Sequence, residues 1–441
     1  MHVDHMTRSP DRSGAANPIR ILVFDCWLPG FLYVRHLADT EGVSLTFVHN
    51  SERQLGTPAR EYKDFKERLS PPDWVKDFGD YDHRFATLFD TEKPDVVLVT
   101  SMHYLECRSA LLFAADRGVM RAFIPHGIFL LDRSKVIGSP KSVFDRVKRL
   151  LEKLPRAVYY GRFFWSAHFQ RERDQRGSFL AAFSCFLDLL SNYSNWQWAP
   201  SPQAQRYYAR LLDIGIVYDA QLAKYYSQNL GAIVDGTEFK VSGTLDSGKL
   251  RRALSVARKS GASAPVPPKV AYYVSSPYPE DFSASGARAL ADLLMTLRSL
   301  VQSAGCERLI YRPHPGEPSW FVDAACAQHG IECDISRDLS GFINASLVCG
   351  TSSSLLYNAI ILSKPILTVS SEKFKMDAPY YEPLISYPRI AVDLDRAVDV
   401  LIEENREALV SALRSSSTTP ESAVSDPVEV LLETVRSERA S

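Results

Sequence analysis

The chain has 441 residues, too many for one ordinary core and suited to two domains of about 150–200 residues each. Its 45% hydrophobic and 23% charged residues mark a soluble globular protein, and a formal net charge of -1 gives no global attraction to nucleic acid or to bulk membrane. No apolar run reaches the roughly 18 residues of a membrane span, and residues 1–17 are polar without a signal-peptide core, so a disordered leader on a cytoplasmic protein is expected.

In chain order, Ile19-Arg-Ile-Leu-Val-Phe24 reads as a buried strand, Asp25-Cys-Trp-Leu-Pro-Gly30 as a turn, and Phe31 to Glu41 as a helix. Further strands are predicted at Val43–Val48, at Asp95–Thr100 after the helix-breaking Lys93-Pro94, and at Arg121–Ile124, with a helix from Glu106 to Arg117 between the last two. Strands alternating with helices of this length indicate βαβ units and a parallel sheet. From 139 to 232 the strand signal fades into aromatic-rich helical segments, which read as an insertion, and a short strand returns at Glu238–Gly243. A Ser/Ala/Gly/Pro bias over Ser255–Pro268 has the character of a linker. A second α/β unit follows, with strands at Val270–Val274, Leu309–Tyr311, Ser346–Cys349 and Pro365–Val369 and helices at Ser285–Ala304, Trp320–His329 and Ser354–Leu362. The expected organisation is a leader (1–17), an acceptor-side Rossmann-like domain (18–250) carrying the insertion 139–232, a linker (251–268), a nucleotide-donor domain (269–410) and a tail (411–441).

Two strands of the second unit end at polar turns. His314 is held between Arg312-Pro313 and Pro315-Gly316, where prolines fix the backbone on both sides. An imidazole there is suited to donate to a phosphate oxygen or to protonate a leaving phosphate. Gly350-Thr351-Ser352-Ser353-Ser354 supplies four hydroxyls ahead of an apolar helix. A helix cap uses one such residue; an anion at the helix N-terminus accounts for the rest. Glu317 and Glu372 lie just past strand ends, where a carboxylate could hold ribose hydroxyls, although for either one alone a solvated surface charge is the favoured reading. In the first unit, His126 (before Gly127) and Asp25 are rival general bases, and Asp235-Gly236 is a weaker third.

Residues 141–176 hold ten Lys/Arg against four Asp/Glu, interleaved with aromatic side chains. An anionic membrane surface or an anionic glycan is the partner such a stretch suits, and a solvated helical face with a core stripe is the plainer alternative; no nucleic-acid-binding module is recognised. The seven cysteines are scattered, without a Cys-x-x-Cys pair or zinc spacing, and are expected as thiols in a reducing compartment. The chain has no Gly-x-x-x-x-Gly-Lys-Ser/Thr, no Gly-x-Gly-x-x-Gly after its first strand and no Gly-x-Ser-x-Gly elbow, so kinase, dinucleotide oxidoreductase and hydrolase readings lose their support.

Arg312-Pro-His-Pro315 followed by Gly350-Thr-Ser-Ser-Ser354 resembles the His-Pro and Ser-Ser motifs of bacterial sialyltransferases and polysialyltransferases of the GT-B fold. It is also similar to the paired motifs of CDP-glycerol glycerophosphotransferases. In both groups these motifs lie in the C-terminal domain and bind a cytidine nucleotide donor. The resemblance, over roughly Val270 to Val369, implies two Rossmann-like domains with parallel sheets facing across a cleft. It implies that His314 contacts the donor phosphate and assists its departure, with Ser352 and Ser353 on the same phosphate and Arg312, Pro315, Glu317, Gly350, Thr351 and Ser354 around the donor. The sialyltransferases carry an acidic pair before glycine, of which Val234-Asp235-Gly236 lacks the first acid. Pro125-His126-Gly127 is similar to the first-domain His-Gly pair of the glycerophosphotransferases but lacks its usual flanks.

The expectation is a cytoplasmic, metal-independent glycosyltransferase, peripheral at the inner membrane face. It would move sialic acid from CMP-sialic acid, or a related acidic sugar, to a capsular, lipopolysaccharide or other cell-surface glycan, with no cofactor beyond that donor. A CDP-glycerol-type transferase for a polyol-phosphate polymer is the alternative. A non-catalytic glycan-binding protein of the same fold is the alternative of another class.

Overall fold

The computed structural model describes residues 17–25, 28–50, 66–67, 69–102, 104–125, 161–171, 179–191, 202–259, 269–275, 282–314, 317–335, 339–351, 353–372, 387–415 and 426–440. Its frame is two parallel sheets. The first contains β1 (Ile19–Phe24), β2 (Val43–His49), β3 (Val75–Asp77), β4 (Val96–Val99), β5 (Met120–Phe123), β6 (Ile214–Val217) and β7 (Glu238–Val241), in the order β3-β2-β1-β4-β5-β6-β7. The second contains β8 (Val270–Val274), β9 (Arg308–Arg312), β10 (Glu332–Cys333), β11 (Leu347–Gly350), β12 (Ile366–Ser370) and β13 (Arg389–Asp393), in the order β10-β9-β8-β11-β12-β13. Every ladder is parallel, with β1 in register against β2 from Ile19↔Val43 and against β4 from Ile21↔Val96.

Parallel strands covered by helices on both faces read as continuous apolar runs, and the central strands show why. In β1, Leu22 and Phe24 enter one core while Ile21 and Val23 enter another on the opposite face; in β4, Val97 and Val99 divide from Val96 and Leu98 in the same way. The second sheet repeats the pattern, with Ala271 and Tyr273 of β8 on one side and Val270, Tyr272 and Val274 on the other. The crossovers are amphipathic helices. In Ala284–Ser303 the buried residues Ala287, Leu290, Ala291, Leu294, Leu297 and Val301 recur at helical spacing, and Ser283 caps the first turn by accepting from Gly286 N–H at 3.1 Å.

Four strands stand where none was expected: β3, β6, β10 and β13. β6 falls within the stretch 139–232, so that stretch is not helical throughout; Ile214 pairs with Ala122 and with Glu238, completing the first sheet. The helix Leu245–Lys259 runs into 251–268, and helices Val398–Ser415 and Pro427–Ala440 occupy much of 411–441. The last of these returns to the first domain, where Val428, Leu431, Leu432 and Val435 join the core of Ile19, Ile21 and Ile214. Arg252 ties the region together, donating to His36 C=O at 3.0 Å and Thr40 Oγ1 at 3.2 Å while pairing with Asp426 at 3.3 Å. The architecture is GT-B-like, two Rossmann-like domains built on parallel sheets of seven and six strands.

Among the described residues no helix is long and apolar enough to cross a membrane. The six described cysteines are thiols, five of them buried.

Candidate functional site

In each sheet the first strand is flanked by the second on one side and the fourth on the other: β2-β1-β4, and β9-β8-β11. The chain leaves the two central strands in opposite directions, and that reversal opens a crevice beyond their carboxyl ends. Two crevices of this kind exist.

The first is bordered by Asp25, next after β1, and Thr100, next after β4. Asp25 is buried; its backbone N–H donates to Val48 C=O at 3.0 Å, and its carboxylate accepts from Thr100 Oγ1 at 2.7 Å. Gly30 closes over it. A Cβ there would lie 2.7 Å from Asp25 Oδ2 and 3.1 Å from the Phe47 ring, so the turn admits no side chain. Glu106, in the first turn of the helix Leu105–Asp116, is buried as well, and its Oε2 has no hydrogen-bond partner among the described residues. Burial pushes its carboxyl up to about 8; a bond from its own backbone N–H opposes this, and the charge of nearby Asp25 adds to it. The first crevice therefore holds two neighbouring carboxyl groups, one kept protonated near neutral pH. Sequence reasoning missed Glu106, because an acid in a helix's first turn is ordinary and only burial sets this one apart.

The second crevice is bordered by Ser275 after β8, Pro313-His314 after β9 and Thr351 after β11. Glu317 organises it. Wholly buried, Glu317 accepts from Ser275 Oγ at 2.7 Å, Tyr311 OH at 2.8 Å and the His314 backbone N–H at 2.7 Å, while its own N–H donates to His314 C=O at 3.0 Å. Those bonds lock the turn that carries the half-buried His314 and tie it to β8. Both Glu317 oxygens serve protein donors, a bracing role that its place in the sequence did not suggest.

Arg312 also turns inward. Its Nη1 donates to Tyr272 OH at 3.0 Å and pairs with Asp334 at 3.4 Å, with Tyr272 OH bonded to the same Asp334. This cross-strand network engages the guanidinium within the sheet. Gly350 is required by packing, because a Cβ would meet Val274 C=O at 3.0 Å and Leu356 at 3.4 Å. Thr351 is buried; Ser353 is the N-cap of the helix Ser354–Ile361, accepting from Leu355 N–H at 3.4 Å. Asp235 belongs elsewhere: it precedes β7, at the amino end of the first sheet, and pairs with Arg210 at 3.5 Å. Glu372 is exposed beyond β12, its N–H donating to Asp395 at 2.6 Å. His126, Pro315, Ser352, the side chain of Ser354 and most of 141–176 lie outside the described residues.

The two crevices belong to neighbouring surfaces. Tyr218, next after β6, meets Tyr357 of the helix Ser354–Ile361 with ring centroids 6.1 Å apart. The helix Leu245–Lys259 leaves the carboxyl end of β7 and buries Leu250 beside Tyr272 and Leu356. By contrast, a groove of about 620 Å³ lies at the amino ends of β4, β5 and β6, lined by Asp95, Arg121, Asp213 and Arg439. Its acids are paired, Asp95 with Arg439 at 2.6 Å and Asp213 with Arg121 Nε at 2.9 Å. Among the described residues no group of three or more His, Cys, Asp or Glu side chains is arranged to hold a metal ion.

No protein-family model matches the chain, and neither does any curated protein. Among solved structures it is similar to a UDP-GlcNAc 2-epimerase from Neisseria meningitidis bound to UDP-GlcNAc, at 10% identity over 95% of this chain and 100% of that one, with a TM-score of 0.46. It is also similar to S. aureus MnaA in complex with UDP (11% identity, 96% and 97% coverage, TM-score 0.49). The wall teichoic acid polymerase TagF is a third (10% identity, 96% and 89% coverage, TM-score 0.44). Identities this low leave the activity of the chain open.

Proposed function

We propose that the chain is a glycosyltransferase that moves a sugar from a nucleotide donor to a glycan acceptor. The observation that carries this reading is the placing of His314 and the Gly350–Ser354 turn at the ends of β9 and β11, on either side of β8. A donor phosphate at that switch point meets the N-terminus of the helix Ser354–Ile361, and the His314 imidazole is placed to neutralise it as it leaves. This arrangement supplies the stabilisation that a cation would otherwise give, and we infer a metal-independent reaction on that basis. As the bond from the sugar to the phosphate oxygen breaks, the phosphate departs with the electron pair. The acceptor hydroxyl forms the new bond and gives its proton to a first-domain base, Asp25 or His126. Protonated Glu106 beside Asp25 spares the site a second negative charge.

The resemblance of the two motifs favours CMP-sialic acid, or a CMP-linked relative, as donor and a surface glycan as acceptor. The second reading, a CDP-glycerol-type glycerophosphotransferase, is supported by Pro125-His126-Gly127. Thermal unfolding with CMP, CDP, UDP and GDP tests both. Saturation to about 100 Kd adds about 2.7 kcal/mol of stability. We expect a cytidine nucleotide to raise the midpoint and His314→Ala to weaken that effect roughly tenfold, about 1.4 kcal/mol. Stabilisation by CMP favours sialyl transfer and by CDP glycerophosphate transfer; UDP or GDP alone removes both. A chain that neither transfers nor hydrolyses any donor, and whose ligand binding survives His314→Ala, is a binder and no enzyme.

A further inference from the structure

Two of the thiols meet. Cys326 stands near the end of the helix Ser319–Ala327, and Cys333 closes the two-residue strand β10. The chain between them is a tight reversal. Gly330 takes the left-handed conformation at φ +59°, and Ile331 N–H reaches back to Cys326 C=O at 3.1 Å, the six-to-one bond of a Schellman turn. β10 then pairs with β9, with Cys333 in register beside Tyr311 and Asp334 N–H donating to Tyr311 C=O at 2.8 Å. Residues in register on parallel strands point to the same face. Cys333 therefore turns to the layer in which Tyr311, Phe321, Val322 and Cys326 are packed. There its Sγ–H donates to the sulfur of Cys326. That bond holds the Cys326 thiol below the ordinary thiol range, whereas burial pushes up the thiols of Cys107, Cys306 and Cys349.

A thiol buried alone is inert, but two in contact, one eased toward its thiolate and the other open to solvent, are placed to be oxidised together. Cys326 is buried, while Cys333 is half-buried on β10, the outermost strand of its sheet among the described residues. We propose that Cys326 and Cys333 form a redox site that a hydroperoxide closes to a disulfide. The Cys326 thiolate attacks one peroxide oxygen and the O–O bond breaks. Cys326 becomes a sulfenic acid, and the hydroxide released takes the proton of Cys333 and leaves as water. The Cys333 thiolate then attacks the Cys326 sulfur and the S–O bond breaks. The second hydroxide leaves as water with the proton that Cys326 first gave up. Two thiols are oxidised and one peroxide is reduced. Sulfurs already in hydrogen-bond contact need only a small side-chain rotation to reach bonding distance. The new bond would tie β10 to the helix that follows the His314–Glu317 turn. The inference is independent of the chemistry proposed at the strand ends.

Mild oxidation of the reduced full chain with hydrogen peroxide, then alkylation of the remaining thiols in urea and peptide mapping, is the test. We expect the peptide that carries both cysteines to appear two hydrogens lighter with neither thiol alkylated, and dithiothreitol to restore both. Cys333→Ser should leave Cys326 without its resolving partner, so that a sulfenic acid accumulates there and is trapped by dimedone. Cys326→Ser should abolish that trapping, and thermal midpoints of both variants guard against a folding defect. The native chain oxidised in urea should lose the preference for this pair, since the turn that joins the two sulfurs is then gone. Both thiols still alkylated after oxidation of the folded chain, either one carried to a sulfinic acid without a bond, or the same pair formed as fast in urea would overturn the proposal.

Discussion

Asp25 and Glu106 show how side chains of one chemistry are set apart by where they are buried. Asp25 has a hydroxyl partner at 2.7 Å, while Glu106 is closed in with an oxygen that meets no donor among the described residues. With its carboxyl raised from 4.5 to about 8, the stability that Glu106 contributes is complete below pH 4.5 and is lost as pH rises through 8. The loss amounts to roughly 3 kcal/mol by pH 7. Glu106→Gln, which holds no charge at any pH, should therefore gain on the native chain steadily across that window. Thermal midpoints measured on both from acid to about pH 9 check this, and parallel curves would remove the protonated carboxyl from the account. The sequence exposed Asp25 because it ends a strand, but not Glu106, whose position in the helix looks ordinary. For Glu317 it revealed the place and not the task. A carboxylate just past a strand suggests a ligand, and only the positions of Ser275, Tyr311 and the His314 N–H show a brace.

Among elements, the long apolar strands and the long amphipathic helices were legible because their periodicity is a local property of the chain. The four strands missed, β3, β6, β10 and β13, are short or polar: Ile214–Val217 has four residues, and Arg389–Asp393 has a charge at each end. Their pairing partners decide them. The Gly350–Ser354 turn divides likewise, with Ser353 explained by capping and Gly350 by the approach of β8. Gly350→Ala, which sets a methyl against the unyielding Val274 carbonyl, should cost roughly 1–3 kcal/mol. A lowered thermal midpoint without nucleotide is the expected result, and an unchanged midpoint would leave the glycine to ligand binding instead.

The whole molecule is knit by segments that cross between its halves. The helix Pro427–Ala440 follows the second domain in sequence but packs on the first sheet, and Lys240 of β7 donates to Thr434 on it at 2.9 Å. Leu431→Ala should cost roughly 2–5 kcal/mol. Amide exchange should rise in β1 and β4, more than four hundred positions and more than three hundred positions away; exchange rising only around β12 and β13 would contradict the packing. By itself the sequence determined the parallel α/β class and the strand ends at which Asp25 and His314 stand, because apolar runs and turn residues act over a few neighbours. Which carboxylate is protonated, which acid braces His314, and where the last helix lies were decided by tertiary structure. Burial and hydrogen-bond partners depend on segments far apart in the chain, and no local pattern encodes them.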